Sequence, residues 1–463
     1  MSDKLPKNYR KALEVVRILK SVGAKDVLFV GGYVRDYLLG IPSKDYDLEV
    51  YGLDYDAIYS ALAPYFFVNQ VGRSFQVLKV DHQIDIALPR REVKSGRGHK
   101  EFQIISDPDM TFAEAAGRRD FTINAIGMRA DGTLCDPYDG VGDLKRKILR
   151  APTEAFCEDP LRVLRGMQFA ARFGMEMEPR TVTFCRRVLP EFSSLSEERI
   201  FDEWYKWAVK GNFPEKGLDI LFQTQWITCF PEISALVGLS QNPIYHSEGD
   251  VFTHTKMVCQ QAVKLLETDS LSESQRAVLM FSALCHDFGK ADCRNETRVE
   301  EGRCMPENHA HRGVKIAKKF FEKMKAPLWL PEWVLPIIAE HMTHLTAEAE
   351  SPDDAQVRRL AVRLSPSDVH LWELLVMADD LGRSVSKRPP VPLYLPWVEK
   401  ARNLGVYDRA PEPILLGRHL MDFGVKPGPG MGKILKNAWE AQLDGAFFTL
   451  EEALAWLGMS GKK

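Results

Sequence analysis

Apolar and polar positions alternate in two ways along this chain, and the change falls near residue 150. From Arg10 to Val22, "RKALEVVRILKSV" repeats apolar residues at helical spacing until Gly23 closes the pattern. Short runs then follow: "DVLFVGG" (26–32), "DYDLEVYG" (45–52), "FQVLKV" (75–80) and "QIDIALP" (83–89). They predict strands. Beyond residue 150 the strand signal fades, and long amphipathic patterns take over: "EDPLRVLRGMQFAARFG" (158–174), "VFTHTKMVCQQAVKLL" (251–266) and "RAVLMFSALCHDFGK" (276–290). The expected class is α+β, an α/β head with an all-helical remainder. "RSVSKRPPVPLYLP" (383–396) reads as a Pro-rich linker before a helical tail.

With 463 residues the chain exceeds what one hydrophobic core fills. Its 45% hydrophobic and 27% charged residues are those of an ordinary globular protein. A formal net charge of −3 supplies no global basic field, so any nucleic acid must be held by local patches. The 8 cysteines include no C-x-x-C, which favours buried thiols in a reducing compartment over a disulfide frame or zinc ribbon. The N-terminal "MSDKLPKNYRK" lacks an apolar core, and no run approaches membrane-spanning length. The expectation is a cytoplasmic protein with no membrane partner; oligomeric state is not legible.

Asp45 and Asp47 lie two apart in a strand-like run, which points both carboxylates the same way. Such a pair persists when a cation sits between the charges or one carboxylate is protonated. Mg2+, a hard ion that takes oxygen ligands and substrate phosphates, suits it. Asp85 in the next strand offers a third carboxylate, and Glu49 extends the acidic face. Upstream, Gly31 and Gly32 leave backbone N–H groups open to a polyphosphate, and the following helix carries Arg35. The P-loop spacing is absent. A glycine turn followed by paired carboxylates points to nucleotidyl transfer.

Three segments in order, "GGYVRDYLLG...KDYDLEV", "RRDFTINAI" (118–126) and "EDPLRVLRGMQFAARFG", resemble the motifs of the bacterial class II tRNA nucleotidyltransferase and poly(A) polymerase family across roughly the first 210 residues. The resemblance implies a polymerase-beta-like head with Asp45 and Asp47 as catalytic metal ligands, and with Gly31, Gly32, Arg35, Arg119, Asp159, Arg162 and Arg165 binding the nucleotide. Asp120 and Asn124 would shape the pocket, and Asp159 and Arg162 would read the Watson–Crick edge of the incoming base. Two positions depart from the family pattern: Gln168 stands in place of a third arginine, and Glu49 occupies a position often uncharged. "PRREVKSGRGHKEF" (89–102) reads as a mobile basic loop of the kind that, in the family, accompanies addition of the terminal A.

A second constellation gathers around "SALCHDFGK". His286 and Asp287 are adjacent, His254 precedes them, and His309, His341 and Asp379 follow, with Asp380 as an alternative to Asp379. Residues 246–385 resemble the HD metal-dependent phosphohydrolase superfamily. The resemblance implies His254, His286, Asp287 and Asp379 as ligands of a transition metal or Mg2+, with Lys290 near a substrate phosphate.

Four domains are expected: a nucleotidyltransferase head (1–130), a helical nucleotide-selecting and RNA-binding neck (131–245), an HD domain (246–385) and a helical tail (386–463). The leading functional expectation is template-independent addition of CCA to tRNA from CTP and ATP, with the tRNA acceptor end as partner. Basic runs at 144–150 and 424–439 offer local positive charge for RNA. The alternatives are a poly(A) polymerase, an A-adding enzyme, or, from another class, an HD phosphohydrolase.

Overall fold

The strand β1 (Asp26–Val30) runs through the middle of a seven-stranded sheet because Val27 to Val30 are all buried, a continuous apolar run rather than an alternating one. The computed structural model describes residues 7–43, 45–72, 77–94, 102–243, 246–292, 298–300, 303–305, 308–345, 351–384 and 391–458. They fall into two compact units: Met1–Arg199 with Lys216–Trp226, and Ile200–Glu215 with Ile227–Lys463.

In the first unit, helix α1 (Lys7–Ser21) buries Ala12, Val15, Val16 and Leu19, the stripe its periodicity predicts. After β1 come helix α2 (Gly32–Leu38), then β2 (Tyr46–Tyr51), β3 (Val68–Gly72), β4 (Val77–Val80), β5 (Ile84–Ala87), β6 (Arg90–Lys94), β7 (Phe102–Ser106), β8 (Gly127–Met128) and β9 (Leu134–Cys135). The sheet order is β3-β4-β5-β2-β1-β8-β9. All neighbours are antiparallel except β2 and β5, which run parallel with Asp47 opposite Asp85.

The four predicted strands are present; β3, β8 and β9 were not foreseen, the last two being only two residues long. The segment expected to be a basic loop is strand at both ends: β6 and β7 pair as an antiparallel hairpin, with Arg90 opposite Ser106 and Lys94 opposite Phe102. Residues 95–101, with Arg97, His99 and Lys100, lie outside the described residues.

After residue 150 helices dominate. Within the first unit, the Leu161–Phe173 helix packs its apolar side inward and ends at Gly174, φ 67°. In the second unit, helices Val251–Leu265, Glu273–Cys285, His309–Lys323, Trp329–Glu340, Asp354–Leu364 and Val369–Gly382 form a bundle. A small C-terminal core follows, built by Leu415, Leu420, Met431, Ala438, Phe447 and Ala453. The only strands found beyond residue 147 among the described residues are two short pairs, Ile148–Leu149 with Glu176–Met177 and Arg298–Glu300 with Arg303–Met305. Of the Pro-rich linker, residues 385–390 lie outside the described residues.

Candidate active site and metal centre

β1 delivers the chain to Gly31, whose φ of 66° lies in the left-handed region that glycine adopts without penalty. Space demands glycine as well. A Cβ here would sit 3.3 Å from Arg119 Nη1 and 3.6 Å from Asp47 Oδ2. The turn, the metal-ligand candidate and the phosphate-binding candidate therefore meet at one point.

Asp47 faces this point from β2, and Asp85 lies beside it on β5. Reduced solvation, followed by the charges of Asp85 and Asp45, raises the Asp47 carboxyl above its ordinary value, with Arg119 and Lys79 opposing. Asp85 is 3.2 Å from Lys79 Nζ.

Arg119 is held from two sides. Its Nη2 donates to Glu49 Oε2 at 2.7 Å, and its Nη1 donates to the carbonyl of Asn124 at 3.2 Å. Asn124 lies in the short Thr122–Asn124 turn and joins three neighbours. Its Nδ2 donates to Asp120 Oδ1 at 2.9 Å, and its Oδ1 accepts from Arg35 Nη1 at 2.8 Å. Asp120 in turn accepts from Arg165 Nε at 2.7 Å and from the Phe121 amide at 2.8 Å. Burial would raise the Asp120 carboxyl, but Arg165, Asn124 and the Phe121 amide outweigh it and hold it below the usual range.

Arg35, expected to seat a triphosphate with Gly31 and Gly32, is 5% exposed. Its Nε donates to Asp36, and its guanidinium lies over Phe169 and Phe173, 5.1 and 4.9 Å from the ring centroids. It ties α2 to the Leu161–Phe173 helix. Gly32 lies against Arg35, with 3.5 Å between its ideal Cβ and Nη2.

Asp159 and Arg162 have separate partners. Asp159 accepts from the Leu161 amide at 3.0 Å and from Arg199 Nη2 at 2.8 Å. Arg162 donates to the carbonyls of Ala155 and Arg118, both at 2.6 Å, fastening the helix start to the segment that bears Arg119. Gln168 is 4% exposed, and its Oε1 has no hydrogen-bond partner among the described residues. In the basic run at 144–150 both arginines are paired within the protein: Arg146 with Asp139 and Asp143, and Arg150 with Asp143.

In the second unit, helix ends converge. His254 lies on the Val251–Leu265 helix, His286 caps Glu273–Cys285 with Asp287 next, His309 opens its helix, His341 caps Trp329–Glu340, and Asp379 sits on Val369–Gly382. Gly289 permits the convergence. A Cβ there would lie 1.9 Å from the His309 carbonyl oxygen, so only glycine lets the two segments touch.

Asp287 bridges two groups of histidines. Its Oδ2 is 3.3 Å from His286 Nε2 and 3.8 Å from His254 Nε2, and its Oδ1 is 3.4 Å from His309 Nε2. His309 and His341 approach Nε2 to Nε2 at 3.3 Å, and His254 Nε2 is 3.0 Å from Asp379 Oδ1. The opposite ring nitrogens face outward. His286 Nδ1 is 2.9 Å from the Ala283 carbonyl and His341 Nδ1 is 2.7 Å from the Ile338 carbonyl, which places the proton on Nδ1 and leaves Nε2 bare. Glu248 Oε1 lies 2.9 Å from His254 Nδ1 and equally from His246 Nδ1.

The electrostatics match the donors. Burial, then His309 and His286, push His341 down to about 3. Asp287 is held well below the carboxylate range by His286 and Lys290 against the effect of burial. Asp380 instead pairs with Arg383 at 3.1 Å, which leaves Asp379 as the carboxylate facing the cluster. Lys290 Nζ lies 2.7 Å from both Asp287 Oδ2 and Gln241 Oε1.

Two family models match the chain. The poly A polymerase head domain matches residues 27–150, and the HD domain matches residues 251–371. The multifunctional CCA protein of Vibrio vulnificus (strain YJ016) is 35% identical over 378 residues, 79% of this chain and 88% of the relative. That of Acinetobacter baumannii (strain ATCC 17978) is 36% identical over 382 residues, 79% and 86%. The chain belongs to the multifunctional CCA protein family. The CCA-adding enzyme of Bacillus stearothermophilus in complex with CTP shares the fold, with TM-score 0.61, 21% identity and 98% of each chain covered. So does that of Thermotoga maritima complexed with tRNA, with TM-score 0.58, 17% identity, and 98% of this chain and 97% of that one covered.

Against this family membership, the residues that sequence reasoning underrated are those that hold others. Glu49 was noticed without a role, Asn124 was expected only to shape the pocket, and Glu248 was not singled out. No spacing rule links Glu248 to His254 Nδ1 or Glu49 to Arg119; folding alone makes them neighbours.

Proposed function

We propose that this chain completes tRNA 3′ ends with CCA, using CTP and ATP without a nucleic-acid template. The observation that carries the reading is the meeting of Gly31, Asp47 and Arg119 at one turn, with Asp85 beside Asp47. The terminal tRNA hydroxyl attacks the α-phosphate of the nucleotide, and pyrophosphate leaves. Gly31 lets the triphosphate approach the backbone, and Arg119 offers it a planar, permanently charged fork. Asp45, Asp47 and Asp85 are hard oxygen donors whose mutual repulsion a divalent cation relieves, so they fit Mg2+. When bound, the ion neutralises phosphate charge and makes the attacking hydroxyl more acidic. Asp159, Arg162 and Arg165 flank the nucleotide's base, with Arg162 and Arg165 held in place by Ala155, Arg118 and Asp120.

The exposed Lys426, Lys433 and Lys436 of the tail support contact with the tRNA backbone, which a duplex offers mainly as shape, phosphate and 2′-hydroxyl. No described helix is long and apolar enough to cross a membrane.

The deciding assay supplies purified chain with tRNA lacking CCA, tRNA ending in CC, and an unrelated RNA, each with CTP, ATP or both. Completion to CCA on tRNA alone is the expected result. Adenylate tails on any RNA would instead identify a poly(A) polymerase, and A addition restricted to the CC substrate would identify an A-adding enzyme.

A second reading rests on a separate observation: His286 Nε2 is buried and has no hydrogen-bond partner among the described residues. With His254, Asp287 and Asp379, and with His309 and His341 across Asp287, it fits a divalent transition metal. Bound there, the metal supplies an acidified water for phosphoester hydrolysis, and Lys290 steadies the phosphate. His286→Ala should remove bound metal and phosphohydrolase activity while CCA addition persists; loss of CCA addition with retained metal would reject this reading.

A further inference from the structure

We propose that Glu49 is a positioning residue for nucleotidyl transfer, holding the Arg119 guanidinium beside Gly31 so that its remaining donors face the triphosphate of the incoming nucleotide. The proposal rests on the reading of Arg119 as the phosphate contact. Strand alternation puts Glu49 on the same face of β2 as Asp47, one step deeper. There the two residues diverge: Asp47 opens to solvent, whereas Glu49 is 7% exposed. Two carboxylates on one face therefore have different environments, one suited to a cation and one to a permanent partner.

That partner is Arg119, whose Nη2 lies 2.7 Å from Glu49 Oε2. A buried carboxylate stripped of its counter-ion is strongly unfavourable, so Arg119 stays on Glu49 when a ligand arrives. The second tether, Nη1 to the Asn124 carbonyl, fixes the plane of the fork. A guanidinium carries five N–H donors, and these two contacts leave others for phosphate. The fork is held where the backbone turn and Asp47 meet, as the 3.3 Å between Arg119 Nη1 and the ideal Cβ of Gly31 shows. Ordering a long arginine side chain before the ligand binds removes an entropy cost that binding would otherwise carry.

The test measures nucleotide incorporation into tRNA by the full chain, with separate KM values for CTP, ATP and tRNA. Glu49→Ala should raise KM for both nucleotides by about tenfold, the scale of losing a hydrogen bond to a charged group. KM for tRNA should not move. Glu49→Gln, which keeps an acceptor but not the charge and disturbs packing least, should give a smaller rise, and it carries the test if the alanine variant fails to fold. In an Arg119→Ala background, Glu49→Ala should add nothing further. An unchanged or lowered nucleotide KM in both Glu49 variants, or additivity with Arg119→Ala, overturns the positioning role. If Arg119→Ala itself leaves nucleotide KM unchanged, the phosphate-contact reading of Arg119 falls, and this proposal with it.

Discussion

Asp47 and Asp85 face each other across the one parallel seam of the head sheet, each the register partner of the other. Lys79 offsets part of the charge on Asp85. Asp47→Ala is expected to abolish incorporation, and Asp85→Asn to lower kcat by about 100-fold, the scale of removing one preorganised electrostatic group at a reacting centre. Incorporation rates at saturating CTP and ATP check this. A normal kcat in Asp85→Asn would confine the metal to the Asp45 and Asp47 pair.

The buried Asp120 pairs with the half-buried Arg165 at 2.7 Å, and the loss of Asp120's charge should register as instability before it registers in chemistry. Asp120→Asn keeps the side chain's shape but removes its charge and should cost about 1–3 kcal/mol at neutral pH, measured by denaturant unfolding. The sign of the pH effect follows from the depressed carboxyl. Its stabilisation is complete above the ordinary aspartate value of about 3.9 and disappears as pH falls through the lower folded value. The wild type should therefore lose stability with acid over a range in which Asp120→Asn changes less.

Glu248 meets the cluster from behind, its Oε1 2.9 Å from His254 Nδ1. Its carboxylate beside His254 Nδ1 favours the proton on that nitrogen and leaves Nε2 facing Asp287 and Asp379. Glu248→Ala should weaken binding of Mn2+ or Co2+ by about 10–100-fold, read by titration calorimetry, with CCA addition unchanged. Equal affinity in variant and wild type would make Glu248 a purely structural residue.

Metal binding at this cluster should also depend on pH in a defined direction. Burial lowers His254, but Asp379 and Glu248 outweigh it and raise its pKa above the ordinary histidine value of about 6.5. Protons therefore compete for His254 at higher pH than for a free histidine, and affinity should weaken as pH drops through neutrality. Titrations at several pH values check this through the protons released on binding.

How much of the site was legible depended on how far apart its parts lie in the chain. The Asp45 and Asp47 spacing reads as a shared side from strand alternation alone, although Asp45 lies one residue before β2 begins at Tyr46. The pairing of Asp47 with Asp85 required the register of two parallel strands, which no local pattern specifies. Arg35 reads as a phosphate ligand because it follows two glycines, whereas the rings it lies over, Phe169 and Phe173, arrive from a helix far along the chain and leave no local signal. The basic segment after β5 was rich in charge and glycine, yet its ends obey pairing preferences that composition conceals. In the second unit the ligand types were legible from residue chemistry, whereas their order around Asp287 came from helix ends that only the packed bundle brings together.

Asn124 is an amide because it must donate on one side and accept on the other. Its Nδ2 serves Asp120, its Oδ1 serves Arg35, and its backbone carbonyl serves Arg119. Aspartate would set a second negative charge against Asp120, and leucine would strand a buried acid and a buried guanidinium together. The Leu161–Phe173 helix through Asp120 and Arg165, α2 through Arg35, and β2 through Arg119 and Glu49 thus share one joint, and the head cannot be altered piecemeal: a change at Asn124 reaches all three at once.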